Sequence, residues 1–193
     1  MKSLIYLHGF NSSPHSEKAR LTQTYFAHDS SRFKVCVPAL PARPKDAINV
    51  VDELVTSLGK ASIAGFIGSS LGGYYSLYCQ QRYQLPIVLI NPAMKPYELL
   101  LDYLGENTNL YTGESYQIEM AHMADLKALE VMHFPTPQNT FLLTQADDEV
   151  LVSQQAITLL EGAKMWIQPK GSHAFDDFSA VLPAIEYFFQ ASL

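Results

Sequence analysis

The chain has 193 residues, 48% of them hydrophobic and 17% charged, with a formal net charge of −6; that composition is globular, and the length suits one domain with a sizeable core. No apolar run reaches the ~20 residues that a membrane-spanning helix needs, and an acidic balance without a basic run counts against nucleic acid or an anionic membrane as the main partner. The N-terminus lacks the apolar core and cleavage site of a signal peptide, and Cys36 and Cys79 show neither C-x-x-C spacing nor a disulfide framework, so buried thiols and a cytoplasmic location are expected.

Leu4-Ile5-Tyr6-Leu7 reads as a continuous apolar strand of the kind covered on both faces, ended by His8-Gly9-Phe10. Asn11-Ser12-Ser13-Pro14 is turn chemistry, and Ser13 as N-cap with Pro14 in the first helical position predicts a helix over residues 15–27. Lys34-Val35-Cys36-Val37 predicts a second strand. Pro38, Pro41 and Pro44 then make an irregular connection, and Asp46 opens a helix to about Leu58 with Ile48, Val51, Leu54, Val55 and Leu58 on one face. After a third strand over residues 62–67 comes Gly68-Ser69-Ser70-Leu71-Gly72-Gly73-Tyr74, running into helix-compatible spacing. Pro86-Ile87-Val88-Leu89-Ile90, Thr140-Phe141-Leu142-Leu143-Thr144 and Lys164-Met165-Trp166-Ile167-Gln168 are three further strands. A final helix gathers Val181, Leu182, Ile185, Phe188 and Phe189, with Pro183 tolerable only near its first turn. Six strands alternating with helices predict an α/β fold: a mainly parallel sheet with helices on both faces and a ligand site at the strands' carboxyl ends.

The Gly-x-Ser-x-Gly stretch between strand and helix reads as a nucleophile elbow, with Ser70 at the apex of a strained turn and Gly68 and Gly72 sparing the crossing backbone a collision. A serine hydroxyl needs an imidazole base and a carboxylate that orients it, in the chain order Ser, Asp, His for this fold. His173 follows the last strand behind Gly171 and is the candidate base; His15, His28, His122 and His133 follow no strand, and surface or packing roles are expected for them. The acid should follow the preceding strand, where Asp147, Asp148 and Glu149 stand in a row and spacing does not choose among them. Asp176 and Asp177 read as favourable charges near the start of the last helix. The amides of Leu71 and Phe10 are the candidate oxyanion donors, with His8 supporting the loop that carries Phe10.

With these parts in order, together with Asn91-Pro92-Ala93, Pro96-Tyr97-Glu98 and Asp148-Glu149-Val150-Leu151, the chain resembles an α/β-hydrolase, and more closely the small bacterial YqiA-like esterase family, over essentially its whole length. The resemblance implies Ser70 as nucleophile, Asp148 rather than Asp147 as acid and His173 as base. It implies esterase activity on small-molecule esters or thioesters without metal or cofactor. The sequence opens directly at the strand leading to the His-Gly turn, so a minimal sheet of about six strands is expected rather than one with two leading antiparallel strands. Acyl transfer would use the same triad, and a non-catalytic receptor would keep the pocket without the chemistry.

Residues 1–193 are expected to form a single domain in which residues 93–139 are a lid-like insertion, since so long a connection is unusual unless functional. A short helix near residues 97–104, a polar loop to Tyr116 and a second helix near residues 121–130 are predicted there. Tyr97, Tyr111, Met120 and Met123 are the candidate wall of an acyl pocket.

Overall fold

The computed structural model describes residues 1–28, 30–132, 134 and 136–193. The chain runs β1 (Lys2–Leu7), α1 (Glu17–Phe26), β2 (Phe33–Cys36), α2 (Pro44–Leu58), β3 (Ile63–Ser69), α3 (Leu71–Tyr83), β4 (Ile87–Ile90), α4 (Pro96–Leu99), β5 (Gly105–Thr108), β6 (Ser115–Ile118), α5 (Met120–Ala128), β7 (Thr140–Gln145), α6 (Ser153–Leu159), β8 (Lys164–Gln168) and α7 (Leu182–Ala191). Six strands form one sheet in the order β2-β1-β3-β4-β7-β8, and every neighbouring pair in it is parallel.

The apolar strands are continuous because both faces are covered. Ile5, Leu7, Phe66, Leu89 and Leu142 pack on one side with α2, α3, α5 and α6. Their chain neighbours Leu4, Tyr6, Ile67, Val88 and Leu143 pack on the other with α1 and α7. Each such side chain removed from water stabilises the fold by roughly 1.5–3 kcal/mol. From β1 the chain first steps outward to β2 and then returns to the other side of β1 for β3. That reversal opens a crevice between the carboxyl ends of β1 and β3, where this class of sheet binds its ligands.

Several boundaries differ from the sequence expectation. Helix α1 begins at Glu17 with Ser16 in the capping position, because the Ser13 hydroxyl accepts the His15 amide inside a preceding turn at 3.0 Å. The polar stretch around Tyr116 is an antiparallel hairpin, β5 with β6, whose period-2 signal was hidden because its covered positions include Gly105 and Asn107, which give little apolar contrast. Helix α6 carries a single fully buried residue, Ala156, and so little apolar signal. Cys79 is buried as expected, but Cys36 at the end of β2 is only partly covered. Among the described residues, no helix is long and apolar enough to cross a membrane.

Candidate active site

Strand β3 is buried throughout and delivers Ser70 at a turn with φ 55° and ψ −120°, a backbone conformation a non-glycine residue adopts only when its surroundings impose it. The imposition is visible in the packing. The Ser70 amide donates to Ile90 O at 3.0 Å, and its carbonyl accepts the amides of Gly73 at 2.9 Å and Ala93 at 3.0 Å. Helix α3 then crosses the end of β1 so closely that a β-carbon at Gly72 would stand 1.9 Å from Leu7 O. The bare backbone at Gly72 is therefore what allows β1 and α3 to lie side by side and sets Ser70 at the crevice.

The Ser70 Oγ lies 3.1 Å from His173 Nε2, and His173 Nδ1 lies 2.9 Å from Asp148 Oδ2. An ionised carboxylate only accepts, so Nδ1 carries the proton and donates it, which leaves the Nε2 lone pair to accept the Ser70 hydroxyl. The Asp148 side chain is 1% exposed. Burial pushes its carboxyl up, but the hydrogen bond from His173 and the amides of Leu151 and Val150 outweigh burial and hold it below the ordinary carboxylate range. Those two amides donate to Oδ1 at 2.8 and 2.9 Å.

Sequence spacing left three carboxylates open, and the turn separates them. Asp147 is exposed, Asp148 turns inward, and Glu149 accepts the backbone amide of His173 at 3.0 Å. Asp176 is not a charge at the start of α7: its backbone and carboxylate belong to the histidine loop, where Ser172 Oγ donates to Oδ1 at 2.6 Å. His15 and His28 are exposed, and His122 is buried, its Nδ1 accepting the Glu119 amide at the start of α5. His133 lies outside the described residues.

The amides of Leu71 and Phe10 donate to no other group among the described residues. Leu71 opens a thirteen-residue helix, so its amide adds the positive end of the helix dipole. His8 fixes the Phe10 loop. Its Nε2 accepts the Leu40 amide at 3.2 Å, which requires Nδ1 to carry the proton and donate to Gly9 O at 3.1 Å. Burial lowers the His8 pKa, opposed by that bond to Gly9, and the ring is neutral.

A cavity of about 370 Å³ opens beside these amides, with Phe10, Leu40, Leu71 and Tyr75 as apolar lining and Asn109 and Tyr116 as polar lining from the hairpin. The hairpin is clasped to the β1 loop: Asn109 Nδ2 donates to Ser12 O at 2.9 Å, the Tyr116 hydroxyl donates to Asn11 Oδ1, and the ring of Tyr103, ahead of the hairpin, meets the Phe10 ring edge-on at 5.2 Å. None of the four expected wall residues lines this cavity. Met123 is in the core, while Met120 is 61% and Tyr111 54% exposed. Tyr97 is held by Lys127 and Glu130, with Lys127 Nζ 4.2 Å from its ring centre. Of the two methionines of α5, Met123 lies on the face that packs into the core and Met120 on the exposed one. Among the described residues, no three His, Cys, Asp or Glu side chains gather to hold a metal ion.

A six-stranded parallel sheet of this order, with a serine at the turn after β3 hydrogen-bonded to a histidine after the last strand, defines an α/β-hydrolase fold. The chain belongs to the family described as "Uncharacterised protein family (UPF0227)", whose model matches residues 3–190, the YqiA-like family that the motifs resemble. Among solved structures it is similar to Est1E from Butyrivibrio proteoclasticus, at 13% identity and a TM-score of 0.74, covering 99% of this chain and 88% of that one. It is similar to a putative hydrolase from Agrobacterium vitis S4, at 20% identity and a TM-score of 0.70, covering 97% and 88%. The ydeN gene product of B. subtilis matches at 15% identity and a TM-score of 0.68, covering 98% and 100%. At these identities the likeness is one of fold.

Proposed function

We propose that the chain is a serine esterase that hydrolyses small carboxylic esters or thioesters through an acyl-serine intermediate, with Ser70 as nucleophile, His173 as base and Asp148 as the orienting acid. The observation that carries this reading is the unbroken hydrogen-bonded line from Asp148 Oδ2 through the imidazole to Ser70 Oγ, at 2.9 and 3.1 Å. Ser70 Oγ gives its proton to His173 Nε2 as it attacks the carbonyl carbon, and the negative charge that forms on the carbonyl oxygen falls to the Leu71 and Phe10 amides. Collapse breaks the bond to the alcohol or thiol, which leaves with the proton from Nε2. Water then repeats the sequence on the acyl-serine, releasing the carboxylic acid and regenerating the Ser70 hydroxyl.

The cavity of about 370 Å³ is lined by Phe10 and Leu71 rather than by Ser70 or His173 themselves, which supports it as room for one part of a small-molecule substrate beside the nucleophile. A solved neighbour, Est1E from Butyrivibrio proteoclasticus with ferulic acid bound, is consistent with a carboxylic acid as product. On this reading residues 1–193 act as one domain, and residues 93–139 are a lid-like insertion that closes the cavity through its hairpin. The test is labelling by a fluorophosphonate probe together with hydrolysis of p-nitrophenyl acetate. Wild type should label and turn over, and Ser70→Ala should do neither while keeping its circular dichroism. A folded wild-type protein that neither labels nor hydrolyses esters or thioesters would overturn the proposal.

A further inference from the structure

A buried polar residue stands at the carboxyl end of two neighbouring strands, Asn91 directly after β4 and Gln145 as the last residue of β7, each 2% exposed. A buried amide is stable there only if its hydrogen bonds are made, and all of these are. Gln145 Oε1 accepts the amides of Ser172 at 3.0 Å and Asp176 at 2.8 Å. Gln145 Nε2 donates to Asp176 O at 3.0 Å and to Gln168 Oε1. Asn91 Nδ2 donates to the carbonyls of Ser172 at 3.0 Å and His173 at 3.3 Å. Asn91 Oδ1 in turn accepts the Gln145 amide at 3.0 Å, so the two side chains work in series.

The loop they grip is under backbone strain. Gly171, Phe175 and Asp177 all have positive φ, at 123°, 65° and 54°, a conformation that the two non-glycine residues keep only when their surroundings impose it. Gly171 also lies so close over the Gln145 amide that a β-carbon would stand 2.1 Å from Oε1. We infer that Gln145 and Asn91 are positioning residues for His173, clamping the backbone on both sides of it and leaving both ring nitrogens free for Ser70 and Asp148. The inference rests on the reading of His173 as the base.

The experiment compares Gln145→Leu with Gln145→Glu, which keeps the size but sets an acceptor against the Asp176 carbonyl and Gln168 Oε1, in wild-type and His173→Ala backgrounds. Amide hydrogen exchange is read alongside p-nitrophenyl acetate kinetics. Gln145→Leu should lose protection at the Ser172 and Asp176 amides while β1 and β3 stay protected. Its kcat should fall ~10²-fold, the usual effect of a misplacement near 1 Å, with KM within about threefold. Gln145→Glu should lose at least as much kcat as Gln145→Leu while keeping its circular dichroism, because its second oxygen repels the Asp176 carbonyl that the amide held. In the His173→Ala background the same substitution should change the residual rate less than twofold, because the group it positions is gone. Retained protection at Ser172 and Asp176, or the same fold-loss in both backgrounds, would overturn the inference. A fully active His173→Ala would instead sink the base assignment, and the exchange data would still decide whether the clamp exists.

Discussion

Replacing Gly72 by alanine would test whether the approach of α3 to β1 is what builds the site. In an unobstructed helix the substitution should stabilise, since alanine is favoured over glycine by about 1 kcal/mol. Here the new methyl would stand 1.9 Å from Leu7 O, 2.4 Å from Leu7 C and 2.7 Å from His8 O, whereas real contacts of this kind stay above 3.0 Å. All three obstacles are backbone atoms, so no side chain can rotate away. The end of β1 must retreat by about 1 Å, and overpacking of that kind costs about 3 kcal/mol or more, at or beyond the top of the usual range. The displaced segment leads directly into Phe10, so its amide should move away from the oxyanion position and kcat should fall ~10²-fold. Gly59 supplies the contrast: it has φ +75° and ψ 126° with nothing within 4 Å of a β-carbon, so Gly59→Ala should cost roughly 1–3 kcal/mol through backbone strain alone and leave activity unchanged. Urea unfolding followed by circular dichroism, with p-nitrophenyl acetate turnover, gives both numbers. A Gly72→Ala protein as stable and as active as wild type would refute the reasoning.

Asp148→Asn should lower kcat by ~10⁴ with KM little changed, because the imidazole loses its tautomer and its counter-charge, whereas Asp147→Asn should stay close to wild type in the same assay. Because the folded-state pKa of Asp148 is held below its ordinary 3.8, the ionised carboxylate contributes stability above that pH; the stability difference between wild type and Asp148→Asn should vanish as pH falls through the folded value. Neutral His8, with its pKa lowered from 6.5, should make wild type lose stability as pH drops below 6.5 toward the folded value, a loss that denaturation curves should show to be absent in His8→Asn. Tyr116→Phe releases the hairpin from Asn11, at a net cost of about 1 kcal/mol; it should shift the preferred length in a series of p-nitrophenyl acyl esters, while Tyr111→Ala and Met120→Ala leave the profile unchanged.

What could be read from the sequence was local and periodic. The central strands β1, β3, β4 and β7 were legible because a parallel strand covered on both faces must be apolar at almost every position, whereas the edge strands β2 and β8 are largely uncovered and were legible only as short β-prone runs between helical stretches. Ser70 was legible because its turn demands glycine at fixed offsets on either side, and His173 because it follows the last strand behind Gly171. The hairpin β5–β6 was not legible, since its residues alternate between partly covered and exposed and carry little apolar contrast. Spacing alone did not choose among Asp147, Asp148 and Glu149, and only the family resemblance favoured Asp148; which of three adjacent carboxylates faces His173 depends on the way a turn points its side chains. The position of the cavity is likewise tertiary: Leu40, Leu71 and Tyr116 line it together although they come from a proline-rich loop, a helix start and a hairpin far apart in the chain. Gln145 and Asn91 stood in the sequence only as polar residues at strand ends. That their amides close on the backbone around His173 follows from adjacent strand ends of one sheet pointing at the same loop, a proximity that exists only once β4 and β7 are paired.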